Sequence, residues 1–278
     1  MFSTGHLIWI GISMALIVIG FVLCRHYRPS LKKMFLVCFA LGILSEIIKV
    51  LYTTEIVPML DPVIIDQNGV STLGWIPSGQ YTPYLPLEHL PLELCSLYLV
   101  FMPAGILIKN ERWKKWLYAL MFTSGLLGGL MGIFLASIAS DFPTVKEFFT
   151  SIRAWQFFLY HAMIVTESLY IGFGEESGLR FADWKKAAIC LIALDMPTFY
   201  LNSVFSSEVY VNNKIAGVTH RINFFSSYVN PLGLILTEKW QWLLYLVIRA
   251  ALAFILVISL YALLNLKRKT EKRLTDNK

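Results

Sequence analysis

Apolar residues run in stretches of about the length a bilayer demands, and polar residues gather between them. A hydrocarbon core about 30 Å thick takes about 20 helical residues to cross. Stretches of that kind lie near 7–24, 34–52, 90–108, 116–138, 155–174, 187–204 and 240–264. They predict an all-α fold, a polytopic transmembrane helix bundle of seven spans. Leu7 to Cys24 follows no basic segment and precedes no small-x-small cleavage site, so it reads as a retained span rather than a signal peptide. No repeat and no linker divides the chain. Residues 1–266 are therefore expected to form one transmembrane domain, with 267–278 as a basic cytoplasmic tail.

Basic residues follow alternate stretches. Arg25, Arg28, Lys32 and Lys33 come after the first, and Lys109, Arg112, Lys114 and Lys115 after the third. Arg180, Lys185 and Lys186 follow the fifth, and a further cluster runs from Lys267 to Lys278. The opposite side holds only Lys146, Arg153, Lys214, Arg221 and Lys239. This bias puts the N-terminus outside and the C-terminus inside, and it requires an odd number of spans. Composition agrees, with 56% hydrophobic and 15% charged residues, where a soluble domain carries about a quarter charged. The formal charge of +6 sits at helix ends, so it signals topology and not nucleic acid. Cys24, Cys38, Cys95 and Cys190 show neither metal-ligand spacing nor a CxxC pair, so no metal, cofactor or disulfide framework is expected.

Two connections on the outer side are long, Thr53–Pro86 and Phe205–Lys239. Their Trp75, Tyr81, Tyr84, Tyr210, Phe224, Phe225 and Tyr228 suit a membrane–water interface, and an interfacial or re-entrant segment fits either one. In the fourth stretch, Gly125 with Gly129 and Gly128 with Gly132 make small-xxx-small faces, which let helices approach closely.

Ionisable residues inside spans are costly and tend to mark a site. With about 1.5 Å of rise per residue, Glu46, Lys49, Glu93, Cys95, Gln156, His161 and Asn202 fall in one outer-leaflet layer drawn from four spans. His89 and Arg153 stand at its mouth. Asp195 and Arg249 lie deeper, and Glu167 lies toward the inner half. The shared depth predicts a polar cavity opening outward. Glu46 and Lys49, at i and i+3, share a helix face and can pair. Cys95 and His161 are the two members with nucleophilic chemistry, since a thiol beside a helix N-terminus or an imidazole attacks as its thiolate. Gln, Asn or Arg donors can hold a developing oxyanion. The plainer readings stand beside these: a small cysteine for packing, a histidine bridging helices, and a structural Glu46–Lys49 pair.

His89-Leu90-Pro91-Leu92-Glu93-Leu94-Cys95-Ser96 resembles the HLPLHLCS signature of the YwaF-like family of bacterial integral membrane proteins. Arg153 to His161 is similar to that family's RFFQFFLSHG stretch, and Asn202 with Asn230-Pro231 resembles its third region. The family is similar to a eukaryotic transmembrane group that moves acyl chains between phospholipids with a cysteine nucleophile. More distantly it resembles the androgen-induced-gene lipid hydrolases, which use threonine and histidine. The resemblance implies Cys95 as nucleophile and His161 as base in a bacterial plasma membrane. Glu93 stands where the signature has a second His.

The expected activity is acyl transfer or hydrolysis on a membrane lipid, a phospholipid or other acyl ester. Glu46, Lys49, His89, Glu93, Arg153, Gln156 and Asn202 would contact the substrate. The alternative is a small-molecule transporter or receptor that uses the same cavity through Glu46, Lys49, Asp195 and Arg249, with Cys95 dispensable.

Overall fold

The computed structural model describes residues 3–67, 70–136, 138, 141–142, 144–174, 176–211, 214–220 and 238–276. Its helices are α1 (Thr4–Tyr27), α2 (Leu31–Thr53), α3 (Tyr98–Leu107), α4 (Glu111–Phe134), α5 (Val145–Thr150), α6 (Ile152–Phe173), α7 (Trp184–Val204) and α8 (Lys239–Asp276). Among the described residues, five are long and apolar enough to cross a membrane: α1, α2, α4, α7 with the turn before it, and α8. Local chemistry sets their ends. Ser3, Ser30, Asn110 and Ser151 cap α1, α2, α4 and α6 through side-chain oxygens. Arg28 closes α1 in the left-handed region, and Pro29 follows it.

The bundle turns the soluble pattern inside out. Leu51, Val18 and Leu36 point apolar side chains outward, whereas α6 carries Arg153, Gln156, His161 and Glu167 in the interior. Buried positions make up 15 of the 22 residues of α6. It packs against α1, α2 and α4, running parallel to α1 and antiparallel to the other two. α7 lies on α4, and α8 joins at the side through α7 and the turn at Phe181–Asp183.

Glycine decides how close α4 and α6 come. A Cβ at Gly125 would overlap the hydroxyls of Ser168 and Tyr98, and one at Gly129 would lie 2.5 Å from Val165. The space taken by glycine there is used by a polar knot: Tyr98 and Ser168 both donate toward the carbonyl of Met121. The expected close packing of this stripe is thus observed, with α6 and Tyr98 as its partners.

Five of the seven expected spans correspond to these apolar helices, and the structure differs from the sequence reading at the third stretch and in the long connections. The third stretch is helical only from Tyr98, because Leu90–Leu97 forms turns in which the carbonyls of Cys95 and Ser96 accept from Tyr98 and Leu99, three residues on. Cys95 therefore precedes α3 rather than lying within its first turn. The long connections contain antiparallel hairpins: β1 (Glu55–Gln67) with β2 (Val70–Tyr84), and β3 (Ser207–Val211) with β4 (Lys214–His220). Phe224, Phe225, Tyr228, Asn230 and Pro231 lie outside the described residues. α8 continues as helix through 267–276.

Overpacking a tight core costs about 1–3 kcal/mol. Gly125→Ala should therefore lower the midpoint of thermal unfolding in detergent by several degrees. Gly11→Ala, which meets nothing within 4 Å, should leave it unchanged or raise it slightly. Equal midpoints for both variants would show that the close approach at Gly125 is unimportant.

Candidate functional site

One stripe of α6 organises the polar layer. Arg153, Gln156 and Tyr160 recur at i, i+3 and i+7, which places them on one face. The Gln156 amide is a two-way bridge: its oxygen accepts from Arg153 Nη1, and its Nε2 donates to Ser45 Oγ on α2 at 2.6 Å. Beside Ser45, Glu46 and Lys49 form an ion pair of 2.6 Å, with Lys49 buried. Tyr160 Oη donates to the carbonyl of Cys95 at 3.1 Å, fastening the turn before α3 onto α6. Arg153 stands 5.7 Å from the centre of the Phe157 ring. Three separate segments thus contribute to one cluster.

Cys95 and His161 meet the same face of α4. His161 Nδ1 lies 2.7 Å from the carbonyl of Phe157. A carbonyl only accepts, so the neutral ring carries its proton on Nδ1 and keeps a lone pair at Nε2. That Nε2 edge rests on Gly132, where a Cβ would overlap the ring. At Gly128 a Cβ would sit 3.6 Å from the Cys95 nitrogen and 3.5 Å from Leu94. Four helical residues rise about 6 Å, so the Cys95 backbone and the imidazole are seated about one turn apart. Among the described residues the sulfur is not hydrogen-bonded to His161.

The other expected residues divide. Glu93 is half-buried, two residues before Cys95 in the same run of turns. His89 is half-buried in the short 3-10 turn Leu87–His89, its N–H on the carbonyl of Pro86 at 2.9 Å. Asn202 is fully buried, but on α7, whose main packing is against α4 and α8. Asp195 and Arg249 pair across α7 and α8. Glu167 is fully buried, and among the described residues neither of its oxygens has a hydrogen-bond partner. Ser45, Ser96 and Gly132 escaped the sequence reading as site residues, and Tyr160 was not given its role of holding Cys95. Tyr160 could have been placed by its i+4 spacing from Gln156; Ser45 could not, since a serine in a span carries no signal of its partner.

A model of the TMEM164 family matches residues 1–263. The chain belongs to that family, and with its five apolar helices it is a membrane protein. No curated protein and no solved structure gives a match.

Removing one partner of a buried hydrogen bond to a charged group costs about 1.5–3 kcal/mol, and a neutral pair costs about 1 kcal/mol. Gln156→Leu, which strands Arg153, should therefore destabilise the protein more than Ser45→Ala. The double variant should be no worse than Gln156→Leu alone, because both changes break one bridge. Thermal unfolding in detergent reads this directly, and strictly additive losses would mean the three residues do not act as a unit.

Proposed function

We propose that this member of the TMEM164 family is a seven-span acyl transferase or hydrolase of membrane lipid, with its N-terminus outside and its C-terminus in the cytoplasm of a bacterial cell. Cys95 is the nucleophile and His161 the base. The observation that carries this reading is the common seat on α4: Gly128 under the Cys95 backbone and Gly132 against the Nε2 edge of an imidazole that carries its proton on Nδ1. A separation of about one helical turn is the span that an ester carbonyl or a water would bridge between them in the reaction. The resemblance of 89–96 and 153–161 to the YwaF-like signatures points to the same two residues.

The chemistry runs in two balanced steps. Cys95 Sγ bonds to the acyl carbon while its proton passes to His161 Nε2. The bond from that carbon to the glycerol oxygen then breaks, and the imidazolium returns the proton to the departing oxygen. In the second step a hydroxyl of an acceptor lipid, or water, gives its proton to His161 and attacks the thioester. The sulfur leaves and regains the proton. The Ser96 N–H, next along the chain from Cys95, and the Gln156 N–H left over beyond its bond to Ser45 are the donors this reading assigns to the oxyanion. Tyr160 holds the Cys95 carbonyl and so fixes the nucleophile's approach.

The transporter alternative is less well supported. Its four principal residues are engaged with one another, Glu46 with Lys49 and Asp195 with Arg249.

Purified protein in mixed micelles, given a phospholipid with a labelled acyl chain and quenched in acid, should carry hydroxylamine-sensitive label. Cys95→Ala should carry none, and His161→Gln should form it about 100-fold or more slowly. Turnover should follow the mole fraction of lipid in the micelle. Undiminished turnover by Cys95→Ala, with Glu46→Gln abolishing transport of a solute, would reverse the ranking and favour the alternative.

A further inference from the structure

The β1–β2 hairpin is the least explained part of the molecule. Its strands pair with each other, and among the described residues no helix packs substantially against either of them. At about 3.3 Å per residue, its 13-residue first strand reaches about 40 Å. Unsupported two-stranded hairpins are marginal in water, so a hairpin of this length needs a surface to rest on.

The register shows what kind. Ile56 pairs with Pro83, Pro58 with Tyr81, and Leu60 with Pro77, so these six residues share one face. The irregularity between Pro58 and Leu60 spans two residues of β1 and four of β2, which keeps both pairs on that side. Every one of the six is exposed, Ile56 at 66%, Leu60 at 51% and Tyr81 at 68%. The opposite face carries Glu55 and Asp61, together with Val57, Thr82, Ile76 and Tyr84. In the half next to α2 both carboxylates thus lie on one side, while the other side is uncharged, apolar and exposed, which is the wrong way round for a free loop in water.

Its continuity identifies the occupant. The hairpin leaves α2 directly after Leu51 and Tyr52, which are 75% and 54% exposed on the apolar surface of a membrane helix. No Lys or Arg occurs between residues 50 and 108, so attraction to anionic groups does not hold the segment. The interfacial layer outside each side of the hydrocarbon core is only about 5–8 Å deep. A hairpin about 40 Å long that stood upright would carry most of its apolar face into water. Lying flat, it would bury the whole face.

We propose that the β1–β2 hairpin is an interfacial paddle, lying along the bilayer surface with the Ile56–Pro58–Leu60 face in the lipid and the Glu55–Asp61 face in water. Insertion is driven by apolar burial, with Tyr81 at headgroup level. This is independent of the chemistry assigned to Cys95.

The test places a photoreactive diazirine amino acid at Leu60 or Tyr81, and separately at Asp61 or Thr82, in the full chain reconstituted into phosphatidylcholine vesicles. Position Leu51 serves as a lipid-facing reference. Lipid adducts at 60 and 81 should exceed those at 61 and 82 by about fivefold or more, since alternate residues face opposite sides. Their yield should hold when salt rises from about 0.05 to about 0.5 M, because apolar insertion is not screened. Equal labelling of both faces overturns the proposal. So do adducts at 60 and 81 formed mainly with a second copy of the chain, or a yield that collapses in salt.

Discussion

The close approach of α4 and α6 is the constraint on which the rest depends. In lipid there is little hydrophobic drive to push helices together, so packing and hydrogen bonds must do it. Glycine at 125, 129 and 132 lets α6 settle deep enough for Ser168 and Tyr98 to share the Met121 carbonyl, and for His161 to lie on the helix surface. Each larger residue would push α6 outward. His161 would then leave its seat, and Tyr160 would lose the Cys95 carbonyl. The proposed chemistry therefore rests on three missing side chains as much as on two reactive ones.

A second regularity follows from placing the polar helix in the middle. Arg153 stays buried because Gln156 and the Phe157 ring hold it. Lys49 stays buried because Glu46 is three residues away. These are local solutions, made within one helix or between neighbours, and they leave the lipid-facing surfaces of α1, α2 and α8 free of charge over long stretches. His6 plays a similar part at the hairpin end of the bundle, where its Nε2 meets the carbonyl of Ile133 in the last turn of α4 at 2.9 Å.

Hydropathy and charge made the apolar helices legible because each span must satisfy lipid on its own, residue by residue. Depth along those spans put Glu46, Lys49, Cys95 and Gln156 at one expected height, since a fixed rise converts sequence position into height. Position in the plane was not legible. Asn202 has the right height but sits on α7, and nothing in the residues around it says which neighbour that helix has. The start of α3 was missed because Pro91 is as compatible with a first helical turn as with the irregular turns that precede Tyr98. The β1–β2 hairpin was hidden for a different reason: proline-rich strands exposed on both sides lack the clean alternation that marks a sheet against a core.

The interior position of α6 also bears on how the protein is made. A translocon offers each helix to lipid as it emerges, and a charged residue at mid-span costs about 2.5–3.5 kcal/mol on that transfer. With Arg153, His161 and Glu167 on one helix, α6 is a poor candidate for release by itself. The three helices that bury it, α1, α2 and α4, all precede it in the chain. When α6 is synthesised its groove already exists, lined by the glycines of α4. The order of elements along the sequence is thus an assembly order as well, in which the helix least suited to lipid arrives only after its shelter, and α7 and α8 close on afterwards.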